Sequence, residues 1–123
     1  MSRRLLVAAA ALATALAVAG AALSQGSATK LTGTVGPGFT IKLTKGGKKF
    51  SSLKAGKYSF AVTDKSSIHD FTLEQQKGGK FEKHLTSVPA TGSKTVTVTL
   101  KKGRWKYYCS AHEDLMHGFF TVK

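Results

Sequence analysis

Along most of the chain, apolar and polar residues alternate one by one, and glycines break the alternation every several positions. Leu31 to Val35 is a first such run, closed by Gly36-Pro37-Gly38. Phe39, Ile41 and Leu43 then alternate with Thr40, Lys42 and Thr44, and Lys45-Gly46-Gly47-Lys48 has the composition of a hairpin turn. After Ala55-Gly56-Lys57, Tyr58, Phe60 and Val62 alternate with Ser59, Ala61 and Thr63. Thr95 to Leu100 is the cleanest run of all. Lys101-Lys102-Gly103 turns it into Trp105, Tyr107 and Cys109, which share one face, and Phe119 to Val122 restarts a strand after Gly118. A period of two puts successive side chains on opposite faces, so each run predicts a strand with one buried face. Gln75 to Thr91 has no clear period and reads as a long excursion. Nothing after residue 28 has helical period. Seven or eight short strands with frequent glycine turns predict an all-β sandwich or barrel.

The first 28 residues follow a different pattern. Arg3 and Arg4 precede an alanine-rich apolar run from Leu5 to Leu23, and Gly26-Ser27-Ala28 supplies small residues behind it. This reads as a secretory signal cleaved after Ala28, leaving residues 29–123 as one small domain in the periplasm, at the surface or outside the cell. A run of about nineteen apolar residues is also just long enough to span a bilayer, so a retained anchor is the competing reading. The arginine pair partly resembles a twin-arginine signal. Loss of Arg3 and Arg4 takes the formal charge from +13 to +11. That balance favours acidic partners or an anionic envelope surface. The lysines are scattered over loops rather than gathered with stacking aromatics, which argues against nucleic acid.

An exported small domain with one cysteine, Cys109, has no internal disulfide, and a bound metal is one substitute for it. Cys109 ends a strand, and His112, Met116 and His117 follow within a tight connection to the next. A thiolate, an imidazole and a thioether in one loop are soft-metal ligands, and two histidines, one cysteine and a long axial methionine make the blue-copper arrangement. The loop lacks one histidine. His84 lies in the aperiodic excursion and reads as a solvated surface residue, whereas His69 stands beside the apolar pair Phe71 and Leu73. Alone, His69 is more often a satisfied core histidine; beside three soft donors the balance shifts to a ligand. Other readings compete. Cys109 and Met116 could simply fill core, though that does not explain why every soft donor falls in one eight-residue window, and Cys109, His69, His112 and His117 would satisfy tetrahedral zinc but leave Met116 idle. A cysteine–histidine nucleophile needs an activated thiolate, and nothing here supplies an oxyanion hole.

Gly33 to Leu43, Ser66 to Leu73 and Tyr107 to Val122 together resemble the cupredoxins, particularly their plastocyanin-like and amicyanin-like branch. The specific part is the order His, then Cys-x2-His-x3-Met-x-Gly, then the final strand. The resemblance implies a Greek-key sandwich with His69, Cys109, His112 and Met116 as ligands to one copper cycling between Cu(I) and Cu(II). It implies a one-electron carrier rather than an enzyme, with no small-molecule substrate. Storage or delivery of the metal by the same donors is the alternative. The edge of His112 is expected at the surface in an apolar patch near Leu115 and His117, and Tyr108 offers a second electron path. Lysines around that face would select an acidic redox partner, such as a cytochrome or a copper/haem oxidoreductase. Two positions depart from the family. Asp70 stands where plastocyanins usually carry an Asn that ties the ligand loops together; turned inward, it would favour Cu(II). His117 beside Met116 is a rival axial donor.

Overall fold

The computed structural model describes residues 28–123, so the expected signal segment lies outside the described residues except for Ala28. Nine strands form two mixed sheets, and no helix occurs among the described residues. One sheet has the order β2 (Ile41–Thr44), β1 (Thr29–Val35), β4 (Gly56–Asp64), β7 (Gly92–Leu100). The other runs β3 (Ser52–Leu53), β9 (His117–Val122), β8 (Gly103–Tyr108), β5 (Thr72–Lys77), β6 (Glu82–His84). β1 pairs parallel to β4 and β3 parallel to β9; the other pairs are antiparallel.

Alternation sorts the side chains as the period of two requires. Leu31 and Val35 of β1, and Phe60 and Val62 of β4, face inward and are buried. They meet Leu73, Trp105, Phe120 and Val122 from the other sheet. Aromatic rings fill the middle: Phe71 stacks on Tyr107 at 5.8 Å, and Trp105 stacks on Phe120 at 6.2 Å. Tyr107 also lies across Gly118, its partner in register, where any Cβ would collide with the phenol ring. Gly118 is therefore the seat of a core aromatic.

Two expectations need correction. The aperiodic Gln75–Thr91 stretch contains the end of β5 and all of β6, and Phe81 packs half-buried against the core between them. Gln75 hides the pattern: it faces inward, 6% exposed, and its Nε2 donates to the Lys102 carbonyl. A satisfied inward amide breaks the apolar alternation without breaking the strand. Phe39 is not a core residue of β2. It precedes the strand, is 53% exposed, and lies against two histidines at one end of the sandwich. That end gathers the tops of β1 and β4 and the connections β4–β5 and β8–β9.

Phe120→Ala should lower the unfolding free energy by about 3–5 kcal/mol in chemical denaturation. Phe119→Ala, on the outer face under Arg104 and Lys106, should cost only about 1 kcal/mol.

Candidate metal centre

The β8–β9 connection is shaped by its own backbone. Cys109 N–H donates to the Met116 carbonyl at 3.0 Å, closing the loop at its base. Within it, His112 N–H donates to the Cys109 carbonyl at 3.1 Å and Met116 N–H to the His112 carbonyl at 2.9 Å. His112 thus stands at the crown, with Cys109 and Met116 fully buried beneath it. The β4–β5 connection is held differently. Asp64 occupies the last inward position of β4; its carboxylate accepts Ser66 N–H at 3.1 Å and the Thr86 hydroxyl at 2.9 Å. Thr86 Oγ1 in turn accepts Phe71 N–H at 2.9 Å. Gly36, at φ +75°, lets the end of β1 run close by, and a Cβ there would press on Ser66 and the His69 ring.

These two loops bring His69, Cys109 and His112 together, with one donor atom of each within 4.8 Å of the others. The two Nδ1 atoms stand 3.1 Å apart, and Cys109 Sγ lies 3.8 Å from that of His69 and 3.7 Å from that of His112. The centre of a triangle with those sides is about 2.1 Å from each corner. Metal–nitrogen bonds run to about 2.0–2.1 Å and metal–sulfur bonds to about 2.3 Å, so the donors fit one ion in their plane. Two imidazoles and a thiolate around one point fit copper. His69 Nε2 is buried with no hydrogen-bond partner among the described residues, so no protein group orients this ring from behind.

Asp70 joins the loops. Its N–H points at Cys109 Sγ at 3.4 Å, and its carboxylate accepts Ser110 N–H at 2.7 Å, the Ser110 hydroxyl and the Thr72 hydroxyl. At 3% exposure it is turned inward. His84, read from sequence as merely solvated, is exposed on β6, yet its Nδ1 lies 3.3 Å from Asp70 and 2.7 Å from Thr72 Oγ1. His117 is not brought to the cluster: it is exposed and its Nδ1 donates to the Glu113 carbonyl at 2.8 Å. The tetrahedral zinc set that included it is therefore not assembled here.

Around the crown, Phe39 stands edge-on to His112 at 4.9 Å and to His69 at 5.4 Å. Exposed Phe39, Ile68 and Leu115 give this end its apolar character. The lysines expected around this face do not line the hollow at His112: Glu113, Asp114 and Leu115 do. Tyr108 faces away from the cluster, 6% exposed, and donates to Glu82 at 2.9 Å. Burial, then Glu82, then Glu74 and Glu113 hold its phenol well above the usual tyrosine range. Reasoning from sequence missed Phe39, Asp64 and Ser110. For Asp64 a signal exists: it continues the inward parity of Tyr58, Phe60 and Val62, and an acid at such a position must be bonded.

No family model and no curated protein matches the sequence. Solved structures do match. Rusticyanin, a copper protein of Thiobacillus ferrooxidans, aligns with a TM-score of 0.56 at 16% identity over 79% of this chain and 80% of its own. Auracyanin A, a blue copper protein of the green thermophilic photosynthetic bacterium Chloroflexus aurantiacus, aligns at 0.52 and 17% identity over 79% and 100%. A variant of amicyanin with Cu(I) aligns at 0.51 and 10% identity over 77% and 83%. The class these features define is an all-β sandwich with a His–Cys–His cluster at one end. The chain has the cupredoxin fold.

Asp70→Ala, assayed by urea unfolding with a chelator present, should lose about 2–3 kcal/mol because the buried Thr72 hydroxyl and the Ser110 N–H lose their charged acceptor. Asp70→Asn should recover most of it. A second expectation concerns alkaline pH. The folded state keeps the Tyr108 proton longer than the unfolded chain, so this contribution to stability is whole below about pH 10 and is lost above it. Unfolding free energy should fall between about pH 10 and about pH 12, and Tyr108→Phe should flatten part of that fall.

Proposed function

We propose that this protein is a mononuclear type 1 copper protein that carries single electrons outside the cytoplasmic membrane. The observation that supports it most is the triangle of two Nδ1 atoms and one Sγ, sized for one ion. Copper bound there would supply one-electron redox chemistry. His69, Cys109 and His112 would hold it, with the Met116 thioether as a fourth, weaker donor. Burial of Met116 at the loop base, where its carbonyl is already tied to Cys109, supports that role.

The remaining residues keep the donors where they are. Asp70 N–H holds the sulfur, and the Asp70 carboxylate fixes the residue after it, so the ligand loops move together. A cage held by the sandwich in one geometry leaves little rearrangement to oppose a change of charge. His69 and Cys109 are fully buried, which keeps water from the donors, while His112 is half-exposed under Phe39. His112 is therefore the electron exit, and the partner is a redox protein that meets it through an apolar contact with Phe39, Ile68 and Leu115. An acidic partner, suggested by the overall charge, would meet Glu113 and Asp114 in the hollow beside His112. Export, and hence an extracytoplasmic site of action, rests on residues 1–28.

Adding Cu(II) to the protein should give an intense blue thiolate band and narrow copper hyperfine splitting at one copper per chain, both lost in Cys109→Ala. A pale spectrum with ordinary splitting would overturn the assignment. Retention of the metal through redox cycling fits a carrier; release to an acceptor on reduction would replace it with a storage or delivery protein.

A further inference from the structure

The surface charge of the domain is divided between its two ends. The chain has six acidic residues. Asp64 ends β4, Asp70 precedes β5, Glu74 and Glu82 pair in register above the foot of β5, and Glu113 and Asp114 belong to the ligand loop. Asp64, Asp70, Glu113 and Asp114 therefore lie at the metal end, and Glu74 and Glu82 at mid-strand beside Lys106. The opposite end is built from the turns after β2, between β3 and β4 and between β7 and β8, together with the end of β9. Lys45, Lys54, Lys57, Lys101, Lys102 and Lys123 stand exposed there. Both ion pairs among the described residues, His84–Asp70 and Lys106–Glu113, lie away from this pole, so no side-chain ion pair ties up its lysines.

The chemistry of the pole narrows its partner. The large exposed apolar side chains are Phe39, Ile68, Val88, Leu115 and Phe119, and none belongs to these turns. A protein partner would find no aromatic or aliphatic anchor, and a nucleic acid would find no stacking platform. What remains is diffuse lysine charge on separate turns, the kind of surface that an anionic lipid leaflet attracts. A second, independent observation comes from the path of the chain. Thr29, where β1 starts, lines the same open cleft of about 700 Å³ as Lys45, Lys54, Lys57 and Lys123. The chain therefore enters β1 at this pole, at Thr29. β1 then climbs seven residues, about 20 Å, to the metal end.

We infer that the lysine pole docks the domain on an anionic phospholipid surface and holds the metal centre facing away from it. His112 is then presented to partners arriving from the aqueous side. That orientation matters for electron transfer only if the copper reading holds; the binding itself requires no metal.

The test uses the full chain as recovered from cells, without added metal, in sedimentation with vesicles of phosphatidylcholine alone or mixed with phosphatidylglycerol. Binding should depend on phosphatidylglycerol and disappear at high salt. The variant Lys54→Gln, Lys57→Gln, Lys101→Gln, Lys102→Gln should lose at least about tenfold in affinity. The control Lys65→Gln, Lys83→Gln, Lys94→Gln, on the metal half, should lose far less, with both variants checked for unchanged unfolding midpoints. Amine labelling on vesicles should protect Lys54, Lys57, Lys101 and Lys102 while Lys65 and Lys83 stay reactive. Equal binding to both vesicle types, or equal loss in the two variants, would overturn the proposal, as would binding to polyglutamate without binding to anionic vesicles. Failure of the copper spectrum would leave these outcomes unchanged, so the two readings fail separately.

Discussion

Everything at the candidate metal centre depends on two loops, the β4–β5 crossover between the sheets and the β8–β9 connection, being locked to each other at Asp70. Its backbone N–H reaches Cys109 Sγ, and its carboxylate takes the N–H and hydroxyl of Ser110. The two contacts act on neighbouring residues of the opposite loop, so they fix both position and direction. A buried carboxylate is costly unless its lone pairs are used, and here Ser110, Thr72 and His84 use them. Asp64 does the same one layer below, tying the start of the His69 loop to Thr86. The donor triangle is thus held in place by the hydrogen bonding around it.

The rest of the sandwich supplies rigidity and polarity. Stacked rings of Phe71, Tyr107, Phe120 and Trp105 run from the donor cluster into the core. Close packing of this kind resists small displacements and so keeps the loops in register with the sheets. The two ends differ in chemistry. One is apolar at its tip and flanked by carboxylates, with a half-exposed imidazole in the middle. The other is lysine without counter-charge. Such a division makes orientation at a charged surface a property of the fold, independent of what the metal site does.

Much of this was legible in the chain itself. The period of two, broken by glycine, determined an all-β domain and put Leu31, Phe60, Val62, Trp105 and Phe120 inside. The His69–Cys109–His112 cluster was legible because Cys109 and His112 are three residues apart and His69 is the one upstream histidine that stands against an apolar pair. Gly118 was seen only as part of a motif; its reason, the ring of Tyr107 across it, needed the register of β8 and β9.

Local order along the chain sets which face a side chain takes, because alternation is a property of a single strand. It does not set which strands become neighbours. β1 pairing parallel with β4 and β6 adding to β5 at an edge were therefore decided only in three dimensions. The same holds for the contacts that cross between loops: Phe39 over two histidines, Asp70 on Ser110 across forty residues, and His84 on Asp70. It holds equally for charge. Lysines spread evenly through the sequence became a pole because turns distant in the chain share one end of a sandwich, while Asp64, Asp70, Glu113 and Asp114 fall at the other.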